Sequence, residues 1–149
     1  MLFVMWGVVL FGREEGRVLW DTYVDRGPWT SPAVEIIPMD TGKPGIRYQA
    51  NARRAVTGQW TAIIETAEGG RIATRKGRGD YSPKTYSVQP APWSWASFFE
   101  NGQTAPAEPA FPYRICVRHV VKTLDSGVIR AGRKSCSSAY DPLSKSILD

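Results

Sequence analysis

The chain of 149 residues has a single histidine, His119, so a Ser/His/Asp or Cys/His catalytic arrangement would have to use it, and a metal site would lack a second imidazole. Its setting argues for a structural role. It sits between Val117 and Val121 in an alternating run, on the face that points to a core. The close carboxylates are Glu14 with Glu15, beside an apolar segment, and Glu65 with Glu68, on a hairpin, and neither makes an acid/base pair. An enzyme of unknown type is therefore an alternative with no catalytic residues to assign. No cofactor and no metal site is expected.

The two cysteines carry the clearer signal. With Asp125 to Gly127 as a three-residue hairpin loop, Leu124 lies opposite Val128, and counting outward along both strands brings Cys116 opposite Cys136. Facing cysteines on an antiparallel pair can reach disulfide distance, and a disulfide agrees with an exported location. Two free thiols are the alternative.

Charge gives the candidate contact surface. Nineteen Lys and Arg against fourteen Asp and Glu leave a net +5, concentrated between Gly42 and Asp80 and between Tyr113 and Lys134. Alternation puts Arg114, Cys116 and Arg118 outward, and the facing strand places Arg130 and Lys134 beside them. These four cations flanking the cysteine pair form a stiff positive face with few counter-charges, which an acidic partner would relieve. A second candidate is aromatic: Trp93 and Trp95, near Phe98 and Phe99, are either exposed as an anchor or buried as a plug at the open end of the fold. Arg78-Gly79-Asp80, inside the glycine-rich stretch Gly77 to Pro83, resembles the cell-attachment motif of integrin ligands. The plainer reading is a glycine turn with Asp80 capping local backbone.

These groups need a scaffold, and the pattern along the chain is all-β. Fourteen Gly, eleven Pro and short runs rich in Val, Ile, Thr, Tyr and Trp favour many short strands. Strands are expected at Val34 to Met39, from Ile46 to Arg53, around Trp60 to Glu65, at Arg71 to Lys76, at Thr85 to Val88, from Tyr113 to Lys122 and from Val128 to Ala139. Glu68 to Gly70 supplies one hairpin turn and Gly77 to Asp80 a second, and residues 100–112 form a long loop. Seven short strands without a long amphipathic helix make an antiparallel two-sheet β-sandwich the economical fold. A tryptophan at the start of a third strand and Pro112-Tyr113 at the start of a penultimate one resemble immunoglobulin-like and fibronectin type III-like domains over residues 33 to 139. The resemblance departs from antibody domains at the cysteines, because Cys116 faces outward and no cysteine lies on the second strand. A looser similarity links the chain to small anchored sandwich proteins of bacterial and prophage regions.

Met1 through Gly12 carries no charge and ends abruptly at Arg13, Glu14, Glu15 and Arg17. Twelve helical residues span about 18 Å against a hydrocarbon core of about 30 Å, too short to cross alone. The segment reads as an anchor or truncated export signal, with a buried apolar element as the alternative. The organisation is thus an apolar segment at 1–12, a connector at 13–32, a sandwich at 33–140 and a tail at 141–149. The function expected is a non-enzymatic, exported, periplasmic or membrane-tethered accessory that binds another macromolecule, most simply a protein. A virion or prophage component, or a binder of nucleic acid or acidic glycan, is the alternative; membrane contact would run through residues 1–12.

Overall fold

In the computed structural model, residues 13–84, 89–99 and 104–148 are described. The apolar segment at 1–12 and the strand expected at Thr85 to Val88 lie outside them.

Two antiparallel sheets make the fold, as the alternation requires. The smaller has the order β1-β2-β5, from Ala33–Pro38, Pro44–Gln49 and Ala91–Pro92. The larger is built on three strands of 11 residues each, β3 (Val56–Thr66), β4 (Arg71–Tyr81) and β6 (Tyr113–Thr123), with β3 in the middle. Along its other edge, β6 is paired in turn with β7 (Ile129–Ala131), β8 (Ser135–Cys136) and β9 (Ala139–Asp141), and β10 (Ser146–Leu148) extends β9. The chain after Tyr140, read above as a tail, closes the sheet instead.

The core lies between the sheets. Tyr113, Ile115, Val117, His119 and Val121 are all buried on one face of β6, as their alternation predicts, and Ile64 joins them from β3. Val34 and Ile36 come from β1. Trp93, Trp95 and Phe98 close one end, the last two on a one-turn helix (Trp95–Phe98) whose Ser94 accepts from the Ser97 amide. Both tryptophans are pinned by hydrogen bonds. Trp93 Nε1 donates to the Tyr113 hydroxyl at 3.0 Å and Trp95 Nε1 to the Pro106 carbonyl at 2.7 Å, so the buried plug is the outcome.

Two turns differ from expectation. Gly77 to Asp80 does not reverse the chain but continues β4. Glycine is required at 77 by a neighbouring strand: a Cβ there would stand 2.2 Å from Cζ2 of Trp60 on β3. Arg78-Gly79-Asp80 therefore lies within a paired strand, and Asp80 accepts from the Thr57 hydroxyl across the ladder at 2.6 Å instead of capping a turn. The loop after β6 is four residues, 124–127, closed by the Thr123 amide on the Val128 carbonyl and by Gly127 at φ 67°. That extra residue matters below.

The connector packs on the sandwich, as read. Residues 13–19 are helical and continue as a π-helical turn, Trp20–Val24, followed by Trp29, buried between the guanidinium groups of Arg54 and Arg130 at 5.5 and 5.2 Å from the ring centroid. Among the described residues no helix is long and apolar enough to cross a membrane.

Candidate functional site

The outer face of the large sheet decides which cations are available to a partner. Glu65, 2% exposed, lies directly opposite Arg114 in the ladder. It accepts from Arg114 Nη2 at 2.6 Å and Nε at 2.9 Å, and from Lys134 Nζ at 2.8 Å. Burial pushes its carboxyl up, but the hydrogen bonds from Lys134 and Arg114 outweigh this and hold it below the usual carboxylate range. Arg114 and Lys134 thus share a buried counter-charge within the fold, a correction to the expectation of few counter-charges.

Arg130 is not on this face at all. The four-residue loop shifts the pairing of β7 by one, so Arg130 opposes core-facing Val121, and a one-residue slip reverses the side to which a residue points. Its guanidinium donates to the carbonyls of Asp21 and Thr22 at 2.7 and 3.1 Å. It belongs to a cluster that ties the connector down, in which Arg54 meets Asp21, Asp25 and Asp125, and Arg53 meets Asp25. Arg47 is paired with Glu35.

Arg118 is outward and exposed, as predicted, and the register gives it different companions. On one face, Arg118 and Lys76 flank Thr61, Arg78 lies beside Gln59, and Lys122 and Asp80 flank Thr57. Lys76, Arg78, Arg118 and Lys122 are all exposed, and among the described residues none has a carboxylate within 4 Å. Strand spacing puts Lys76 and Arg118 about 10 Å apart and Lys76 and Arg78 about 7 Å apart. A shallow depression of about 300 Å³ between them is lined by Thr57, Gln59, Arg78 and Lys122. Reading the outward residues of β3 and β4 from the Glu68 to Gly70 hairpin would have found Lys76 and Arg78; treating Gly77 to Asp80 as a turn hid them.

Cys116 and Cys136 are direct partners in the ladder, with Cα atoms 4.0 Å apart and sulfurs at disulfide distance. Glu65 Oε1 lies 3.7 Å from the Cys136 sulfur. The three groups converge within metal-ligating distance of one another, but the sulfurs are bonded to each other and the carboxylate is taken by two cations. On reduction the intact mass should rise by two hydrogens, and alkylation in denaturant without reductant should label neither cysteine. Two labelled thiols would refute the bond.

His119 is fully buried on β6, between Tyr48 of β2 and Tyr81 of β4. Its Nε2 shares a 2.5 Å hydrogen bond with the Tyr48 hydroxyl, Tyr81 stacks on the ring at 4.7 Å, and Nδ1 has no partner among the described residues. Burial pushes its pKa down to about 4, so the ring is neutral at pH 7.

No family model matches the chain, and comparisons with curated proteins and with solved structures give no match.

Proposed function

We propose that this protein is a non-enzymatic, membrane-tethered or exported sandwich that binds an acidic protein surface through Lys76, Arg78, Arg118 and Lys122. The observation that carries the reading is the sorting of cations: Arg114, Arg130, Lys134, Arg53 and Arg54 are held by internal partners, while these four share one face of the large sheet and, among the described residues, have no carboxylate within 4 Å. Like charges held this close on rigid backbone repel, and an acidic partner or salt relieves them. The Cys116–Cys136 link, where β6 meets β8, stiffens that face.

The scaffold supports an immunoglobulin-like reading. The order β1-β2-β5 against β9-β6-β3-β4 matches that of strands A-B-E against G-F-C-C′. Tethering is supported by the inverted polarity of residues 18–24. Asp21 is buried there, whereas Leu19, Trp20, Tyr23 and Val24 are each more than half exposed, and the apolar run at 1–12 precedes them in the sequence, separated by the charged stretch 13–17. Trp and Tyr in such a position suit a lipid interface.

Changing Lys76, Arg78, Arg118 and Lys122 together to Ser should weaken binding of poly-glutamate at least tenfold and flatten its salt dependence. Thermal stability should be unchanged or slightly raised, since repulsion is removed. Undiminished poly-glutamate binding by the folded variant would overturn the reading. Tight, salt-steep binding of a single-stranded oligonucleotide with no binding of poly-glutamate would replace it with the polyanion alternative.

A further inference from the structure

A cleft of about 410 Å³ lies between the two sheets, and no chemistry described so far uses it. Its origin is a mismatch of strand lengths. β3 and β4 run 11 residues, while β5, which ends the small sheet on that side, has two. Among the described residues, the inner faces of β3 and β4 therefore extend past their cover, and the residues lining the cleft there include the small or flat Ala62, Gly79 and Trp60, the last laid over Gly77. Tyr48 and Ile46 of β2 form the opposite wall, with Trp93 and Phe98 at the end. Protein interiors are otherwise packed to the density of organic crystals, so a void of this size, walled by half-buried aromatic rings, falls in the range of small-molecule sites.

Among the described residues no charged side chain lines the cleft, but Arg75 stands beside two residues that do line it, Ala62 and Phe98. Arg75 is on the inward face of β4, opposite Ala62, and half-buried. Its Nη1 makes two long contacts, at 3.3 and 3.4 Å, with the carbonyls of Ser97 and Phe98. Among the described residues no carboxylate pairs with it. A half-buried guanidinium beside an apolar cleft, with donors to spare, is matched by an anionic head on an apolar body, because a carboxylate can take the free N–H groups as charge-assisted hydrogen bonds.

We propose that this cleft binds a small apolar carboxylate, its hydrocarbon body against Trp60, Tyr48 and Phe98 and its head on Arg75. The site is on the inner side of β3 and β4, behind the cationic face, and is independent of it: the four-serine variant should bind such a ligand as the unaltered protein does. Titration with cis-parinaric acid, followed by its fluorescence, should give one site of micromolar affinity. Arg75→Gln should weaken the acid at least tenfold and its methyl ester less than twofold, with Arg75→Lys restoring most of the loss. Ala62→Phe, which fills the cleft from the central strand, should abolish binding of both acid and ester with an unchanged or raised thermal midpoint. Should Ala62→Phe not fold, Ile46→Trp fills the cleft from the opposite wall. The proposal is overturned if the unaltered protein binds neither probe, if a folded cleft-filling variant still binds both, or if Arg75→Gln weakens acid and ester equally.

Discussion

Replacing Arg114 and Lys134 together with Ala should lower the free energy of unfolding by about 3–5 kcal/mol, the cost of leaving a buried charge without its partner. The side chain of Glu65 is 3% exposed, and the two cations are its ion-pair partners among the described residues. With both gone the carboxylate must remain ionised and dry, take up a proton, or pull water into the sheet. Each route is costly. Removing the other member of the cluster should be milder: Glu65→Gln leaves Arg114 and Lys134 at 31% and 41% exposure, where water can solvate them, so a loss of about 1–2 kcal/mol is expected. Adding Glu65→Leu to the double alanine variant should recover most of the larger loss, because a well-packed apolar group in place of a buried ionic cluster is often neutral. Urea unfolding of the four proteins checks the order. A double alanine variant less damaged than Glu65→Gln would show that the carboxylate is not held by these cations.

This cluster also marks how far the sequence can be read without a fold. The core face of β6 was legible because alternation is local: Tyr113, Ile115, Val117, His119 and Val121 announce a buried face within nine positions. Glu65 was legible as a carboxylate and not as a counter-charge, since it stands 49 positions from Arg114 and 69 from Lys134 and meets them through sheet pairing. The cysteine pairing came through despite a wrong loop length. β7 is displaced by one residue relative to the expected register, and the chain between Ala131 and Ser135 restores it before Cys136, as a bulge does. Arg130 lies inside the displaced segment and so points to Trp29 instead of the outer face. Gly77 failed for a related reason: a glycine demanded by a ring on the next strand has the same local appearance as one demanded by a turn. The tryptophan segment was legible in composition only. Whether Trp93 and Trp95 faced water depended on acceptors at Tyr113 and Pro106, which the one-turn helix brings within reach.

The buried histidine should lower stability as the pH falls from about 6.5 toward 4, an effect specific in sign and window. An unfolded histidine titrates near 6.5 and His119 in the folded protein near 4, so between those values the unfolded chain holds a proton that the folded one does not. Stability contributed by the neutral ring is therefore complete above about pH 6.5 and is lost as the pH falls toward 4, by on the order of 3 kcal/mol in total. The groups facing the ring do not blur this window. Burial raises the hydroxyl pKa values of Tyr48 and Tyr81, which stay protonated throughout. The carboxyls of Asp21, Asp25 and Glu65 are held below their ordinary values, so their contribution is lost only at lower pH, below about 4. His119→Phe keeps a ring stacked on Tyr81, removes the buried nitrogen that lacks a partner, and leaves Tyr48 without its acceptor. Its thermal midpoint should be nearly flat from pH 7 to 4.5, where the unaltered protein declines, and both should fall together below pH 4. A variant that declines in parallel with the unaltered protein across the upper window would show that the acid sensitivity there arises elsewhere than at His119.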